Sequence, residues 1–289
     1  VITSKTSKIG DAIVVLVCLA LIALCLAPMI HIAAKSLSSM DSLIRNQVGL
    51  WPKGLNVDAY RLVLDDGKFV RALWWTGLLT VVGTVLSLVV TTMAAYPLTY
   101  DKLKGKKVVN ALFIITMFFN AGIIPMYVLL KNIAFVNKPV VLVIPYCLSV
   151  FNMILMRSFM CDLPVSMRES AEIDGAGPIR VLLRIYLPLS KPVIATLVLF
   201  YAVGRWNGFS DALMFMNVPK YYPIQLLLYN LINAIQSVDT ATLEGTVSPA
   251  LSESLKAAAI MFATVPILFV YIPLQKYFIA GATLGAVKE

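Results

Sequence analysis

Charge is scarce in this chain: aspartate, glutamate, lysine and arginine make up 13% of its 289 residues, against 60% hydrophobic ones. A soluble domain carries about 25% charged and roughly 45–50% apolar residues, so a water-bathed globule fits poorly. The single histidine, His31, has no neighbour of metal-ligand type and reads as interfacial. No Ser, His and Asp constellation accompanies it, which argues against an enzyme. No G-x-x-x-x-G-K-[ST] stretch occurs, so the backbone cradle and lysine that grip ATP phosphates are missing, and no cofactor is expected on this chain. The four cysteines, Cys18, Cys25, Cys147 and Cys161, show neither the paired spacing of a zinc site nor the framework of a small secreted domain; four free thiols are expected. Internal repeats, low-complexity tracts and a soluble domain are lacking too, which leaves one membrane domain over residues 1–289.

What is abundant is long apolar sequence. A bilayer core of about 30 Å needs roughly 20 apolar residues per helix, and six such windows lie near 12–34, 74–98, 108–130, 139–156, 193–215 and 257–274. The expected fold is therefore all-α, a polytopic membrane protein with six transmembrane helices. The first window follows Lys5 and Lys8 and exceeds the apolar core of a signal peptide, so it reads as a retained span. The formal charge of +9 is spread between the spans, without a basic stripe interleaved with aromatics, which points to anionic membrane lipids and not to nucleic acid.

Lysine supplies four of the seven residues from Asp101 to Lys107, marking that short loop as cytoplasmic; six spans then put both termini on that side. The longer loop from Lys35 to Arg71 would lie outside, with a short surface helix at Asn56 to Leu64 and with Trp51, Trp74 and Trp75 in the interfacial belt. In the second span, Gly83, Ser87, Thr91 and Ala95 recur every four residues beside Thr76, Thr80 and Thr84. This small, weakly polar face reads first as helix packing and second as pore lining. Asn120, Gly122, Pro125, Pro145, Gly204, Pro266 and Pro273 interrupt later spans, and irregular backbone at membrane depth is tolerated only inside protein or against a wet cavity.

The connector 157–192 is long, where helical connections are usually 2–8 residues. Ser166 and Glu169 fit the capping box of a helix start, Gly175 a helix stop, and Pro178 the first position of a second helix. The expectation is helix, bend, helix at the cytoplasmic surface, because Arg180 and Arg184 would each cost about 2.5–3.5 kcal/mol at mid-bilayer.

Glu169, Ser170 and Ala171, then Gly175, Ile185, Leu187 and Pro188, resemble in type and spacing the signature loop of permease subunits in type I ABC importers. The resemblance implies that the first short helix, with Asp174 and Ala176 at its end, is a coupling helix docking on a separate ATPase; Glu169 meets a basic group there or serves only as a cap. Trp206 and Asn207, with YFIAGATLGAVK from Tyr277 to Lys288, are similar to carbohydrate importers related to the maltose transporter, which implies that the tail Gly285, Ala286, Val287 and Lys288 also reaches the ATPase. MRSF at 156–159 and LPLSKP at 187–192 are similar to the branch served by lipoprotein-type binding proteins for complex oligosaccharides. The implied partners are a second permease in a heterodimer, an ABC ATPase dimer holding ATP and Mg, and an extracellular or periplasmic sugar-binding protein, in a bacterial plasma membrane. Sugars present apolar faces and hydroxyl rims, so Asn120, Tyr146, Asn152, Tyr201, Arg205, Trp206 and Asn207 are the candidates for the cargo path; for Tyr201, Trp206 and the asparagines, packing between helices is the competing role. Arg205 stands out as an intramembrane cation. An ion-coupled secondary transporter is the rival class. It calls for midplane carboxylates or repeats, and Asp211 is the nearest approach to one.

Overall fold

The computed structural model describes residues 5–65, 67–119, 121–241 and 249–286. These are mostly helical and contain no strand, with one isolated antiparallel bridge between Ser38 and Leu55. The chain divides into two compact units, Val1–Val70 with Leu228–Val265, and Arg71–Leu227 with Pro266–Glu289.

In the first unit, α1 (Lys5–Ser36) exposes apolar side chains such as Ile13, Leu16, Leu19 and Leu24, the all-round hydrophobicity of a helix solvated by lipid. Two short helices follow, α2 (Met40–Ile44) and α3 (Asp58–Asp65). The Asn56 side-chain oxygen accepts the Asp58 N–H at 2.7 Å and so starts α3, and the Ser36 and Tyr60 hydroxyls share a hydrogen bond of 2.8 Å that ties α3 to the end of α1. Ala34, Leu43 and Val48 form a small core there. His31 Nδ1 donates to the Gly49 carbonyl at 2.7 Å, and Lys35 pairs with Glu253 at 3.0 Å.

The second unit is organised along α4 (Lys68–Ala95). One buried cluster gathers around Leu79 with Leu130, Val141, Leu142, Phe215 and Leu226; another gathers around Ala95 and Tyr96 with Met153, Met156, Val181, Tyr186 and Leu197. Leu79 and Ala95 are sixteen residues apart, about 24 Å along a helix, so two cores grip the two ends of one span. Beyond α4 come α5 (Lys106–Phe118) and α6 (Ile123–Asn132), the 3-10 turns Pro139–Leu142 and Ile144–Tyr146, and α7 (Val150–Cys161), whose first turn is capped by Ser149. Then follow α8 (Val165–Ile173), α9 (Pro178–Val181), a π-turn at Leu182–Tyr186 and α10 (Leu187–Leu189). Pro188 has no N–H to return to the Arg184 carbonyl, and the ladder widens there. After an 82° bend the chain enters α11 (Lys191–Asn207), then α12 (Ser210–Phe215), α13 (Ile224–Ala241) and α14 (Pro249–Ala286).

Among the described residues, three helices are long and apolar enough to cross a bilayer, Gly10–Ser36, Lys68–Thr99 and Leu251–Ile272; counting each of three bent pairs as one crossing raises the number to 6. Several expectations need correction. Pro266 and Pro273 do not interrupt the last helix, which runs from Pro249 to Ala286; a membrane helix tolerates proline where local adjustment satisfies the freed backbone groups. Gly204 lies within α11, and the break falls instead at Gly208. Trp75 is no headgroup anchor: its indole donates to the Tyr221 carbonyl at 2.8 Å and its ring packs on Tyr221. Helix α13 has no counterpart among the expected elements.

Candidate functional site

The face of α4 between its two cores is walled by the small residues Gly83 and Ser87, and a cavity of about 510 Å³ opens against it. Both residues lie at the middle of the Lys68–Thr99 span. The opposite walls come from the broken segments: Leu142 and Tyr146 of the 3-10 turns, Ser149 and Asn152 at the start of α7, Tyr201 and Arg205 of α11, and Asn207 to Asp211 across the break. The four-residue row of α4 thus divides its work. Gly83 and Ser87 face the cavity, whereas Thr91 and Ala95 are fully buried, the Thr91 hydroxyl hydrogen-bonding Tyr201 Oη at 2.6 Å. Thr76 is also structural, donating to the Ala72 carbonyl and accepting the Ile224 N–H at 2.8 Å.

Arg205 is the electrostatic centre. Its guanidinium donates to the Leu142 carbonyl and to the Asp211 carboxylate and lies 5.9 Å from the Tyr146 ring centroid. The paired side chains are only 12% and 8% exposed. One residue therefore staples the end of α11 to the start of α12 and to the 3-10 turn across the cavity. Gly208 makes the staple possible, because a Cβ there would stand 2.6 Å from Arg205 Nη2 and 3.3 Å from the Gly204 carbonyl. The one cation of the lining is matched by its one carboxylate, and the remaining wall mixes hydroxyl, amide and phenol groups with the apolar side chains of Leu142, Val143, Phe200 and Phe209, a combination suited to the apolar faces and hydroxyl rims of a sugar.

Of the cargo candidates, Tyr146, Asn152, Tyr201, Arg205 and Asn207 meet at this cavity, while Trp206 is buried away from its wall. Asn120 lies outside the described residues. Tyr201 takes both of its competing roles, lining the cavity while its hydroxyl accepts the Ser149 N–H at 3.2 Å. Sequence reasoning passed over Asp211 as a site residue; its place six residues beyond Arg205, across a glycine, was the available signal. Gly83 and Ser87 were legible as a small row but were assigned to packing.

The second functional region is the 157–192 connector. Helix α8 starts one residue ahead of Ser166, with Pro164 at the cap position and no side-chain cap bond, so the reciprocal Ser166–Glu169 box does not form; the proline's fixed φ sets the entry instead. Its end is as expected. Gly175 has φ +79°, its N–H reaches the Glu172 carbonyl at 3.1 Å, and the Ala176 N–H reaches Ala171 at 2.9 Å, which together make a Schellman closure. Glu169, Ser170 and Asp174 face outward, as does Ile173 at 86% exposure, while Ala171 and Ala176 pack on the core around Tyr96. Ile185 and Leu187 are half-buried and Pro188 is exposed. Arg168 stacks over Tyr100 with 4.5 Å to the centroid and approaches Glu172 at 3.8 Å. The Tyr96 hydroxyl donates to the Pro178 carbonyl at 3.0 Å and its ring packs edge-on to Tyr186. Arg168, Tyr96 and Tyr100 were not singled out from sequence. Gly285 and Ala286 lie in the last turn of α14, and Val287 and Lys288 fall outside the described residues.

A helical chain with long apolar helices, bent apolar helix pairs and a partly polar cavity against the middle of one span has the build of a membrane transport permease. Residues 80–283 match the binding-protein-dependent transport system inner membrane components, and the chain belongs to that family. It is 36% identical over 287 residues to Protein LplC of Bacillus subtilis (strain 168), covering 99% of this chain and 97% of that one. It is 34% identical over 266 residues to the polygalacturonan/rhamnogalacturonan transport system permease protein YtcP of the same organism, covering 92% and 93%. Its structure is similar, with TM-score 0.87 and 30% identity over 96% of this chain and 99% of the other, to a chain in the crystal structure of a bacterial ABC transporter involved in the import of the acidic polysaccharide alginate. Permease subunits of this kind are non-catalytic and work with a separate ATPase subunit, which sets the ion-coupled alternative aside.

Proposed function

We propose that this chain forms half of the passage of an ATP-driven oligosaccharide importer and transmits the work of its ATPase to that passage. In this reading the three bent pairs each cross the membrane, giving six spans with both termini and the 157–192 arm in the cytoplasm of a bacterium. A second permease completes the passage, an ABC ATPase dimer holds ATP and Mg, and an external sugar-binding protein delivers the cargo. The names of YtcP, with polygalacturonan and rhamnogalacturonan, and of the importer of the acidic polysaccharide alginate favour polysaccharide fragments as cargo, and Tyr146 and Tyr201 offer aromatic faces for sugar rings beside the Asn152, Asn207 and Ser87 polar groups.

One observation carries the mechanism. Helix α4 walls the cavity with Gly83 and Ser87, and Tyr96, the residue directly after its end, holds the coupling arm. Ser87 and Tyr96 are nine residues apart, about 14 Å along the axis. Closure of the ATPase pair moves α8 as a rigid piece, with Glu169, Ile173 and Asp174 on the docking face, and the tail from Gly285 to Lys288 adds a second contact. Through the Tyr96–Pro178 and Arg168–Tyr100 contacts the displacement reaches α4, which alternates the cavity between inward and outward access; packed interfaces favour such discrete arrangements over continuous bending.

Gly175→Pro tests the lever. Proline cannot take φ +79° and lacks the N–H that closes α8 on Glu172. The assembled variant should bind cargo-loaded binding protein yet lose most cargo-stimulated ATP hydrolysis; wild-type transport rates would reject the lever.

A further inference from the structure

A second cavity of about 510 Å³ lies where the end of α4 meets the coupling arm, and the transport path does not use it. Its walls are apolar, with Met93 and Pro97 from α4 and the turn after it, Leu103 from the next loop, and Ile179 and Leu182 from the arm. Met93 is 65% and Ile179 73% exposed. Lys102 stands on the wall of this groove. Leu103 is shared with an adjoining polar pocket that Lys106, Lys107 and Arg157 also line, with Asp101 as its carboxylate. Lys106 bonds Asp101 at 2.9 Å, a hydrogen bond that holds that carboxyl below the usual carboxylate range. Four cations thus face one carboxylate around a single leucine, and an oily slot opens on that leucine's other side.

An inorganic or nucleotide phosphate would need only the basic half, and a zwitterionic lipid only the apolar half. A molecule that needs both carries an acyl chain and a net negative headgroup. We infer that the groove holds one acyl chain of an anionic phospholipid, with its phosphate on the Lys102–Lys107 segment. The arm forms the far wall and the Tyr96–Pro178 hydrogen bond lies in the lining, so the bound lipid braces the joint between the coupling arm and α4. The inference rests on the reading above only in assigning this end of α4 to the cytoplasmic leaflet, where anionic headgroups and polybasic segments meet.

The test uses the complete importer complex, delipidated in detergent and titrated with phosphatidylglycerol or phosphatidylcholine, with bound lipids counted by native mass spectrometry. Wild type should hold one tight phosphatidylglycerol that the Lys102→Gln, Lys106→Gln, Lys107→Gln variant binds roughly a hundredfold more weakly, since each charge near an anionic surface contributes about fivefold. Phosphatidylcholine binding should not change between the two. Ile179→Trp, which fills the slot and keeps the charges, should weaken that same lipid, and millimolar inorganic phosphate should not displace it. Equal retention of both lipids, an undiminished tight site in the triple variant, displacement by phosphate, or a wild-type complex with no tight lipid because another subunit covers the face would each overturn the inference. Labelling of Cys161, which is exposed at the start of the same connector, by an impermeant maleimide in inside-out but not right-side-out vesicles reports the orientation separately.

Discussion

If Arg205 is a staple, cutting it should cost far more than an exposed ion pair would. The two side chains are 12% and 8% exposed, so Asp211→Ala leaves a guanidinium buried with only the Leu142 carbonyl and the Tyr146 face as company. Removing one partner of a buried pair costs about 3–5 kcal/mol, and the retained contacts place this case near the lower end, about 3 kcal/mol. Asp211→Asn keeps an acceptor for the still-charged guanidinium but removes its counter-charge, so its cost should lie below that of Asp211→Ala, at about 1–2 kcal/mol. Arg205→Met with Asp211→Leu removes both charges and should sit close to wild type, because apolar replacement of a buried pair is often neutral or better. Gly208→Ala offers an independent route. Its Cβ would intrude to 2.6 Å from Arg205 Nη2, an overpacking worth about 1–3 kcal/mol, and most of that cost should vanish once Arg205 is Met. Helix content followed by circular dichroism through an SDS titration of the purified complex in mixed micelles measures all five proteins. Single-variant effects that add to within about 0.5 kcal/mol would show uncoupled sites and would refute the staple.

Tyr201→Phe should destabilise the same unit by about 2 kcal/mol, because it strands the buried Thr91 hydroxyl and the Ser149 N–H; Thr91→Val in that background should restore part of the loss. Arg168→Ala removes the cation over Tyr100 and should leave basal ATP hydrolysis in place while cutting its stimulation by cargo-loaded binding protein at least tenfold, read in proteoliposomes; unchanged stimulation would dissociate Arg168 from coupling. Tyr146→Ala should raise the cargo concentration needed for half-maximal transport more than it lowers the maximal rate, as expected for a sugar-stacking face, and an effect on the maximal rate alone would count against cargo contact.

Hydropathy made the long apolar helices legible, because burial in lipid needs nothing beyond length and composition. Gly175 and Pro178 were legible for a different reason: positive φ and a missing N–H are properties of single residues that no tertiary context can override. The Ser166–Glu169 box failed where context did decide, since Pro164 two residues earlier already fixes the chain's entry. Helix α13 went unseen because Gln225, Asn230 and Asn233 dilute its apolar face below the span threshold. Pro266 and Pro273 misled in the opposite sense, because the helix runs on through both, as membrane helices can where soluble ones usually end. At the cavity, residue type found the aromatic and amide groups but could not say which way they face. Asp211 read only as a carboxylate near the outer end of the fifth span, yet the break at Gly208 turns it back onto Arg205. The helix, bend and helix of the 157–192 connector were readable from its residues, while its mounting on Tyr96 and Tyr100 depends on residues about 70 positions earlier in the chain.

The 82° elbow between the arm and α11 turns at Ser190. That residue is fully enclosed and, among the described residues, its hydroxyl has no hydrogen-bond partner. A stranded hydroxyl raises the free energy of the bent form by about 1–3 kcal/mol. A side chain that asks for no partner suits that enclosure better, so Ser190→Ala should leave the bent form at least as stable as the parent chain.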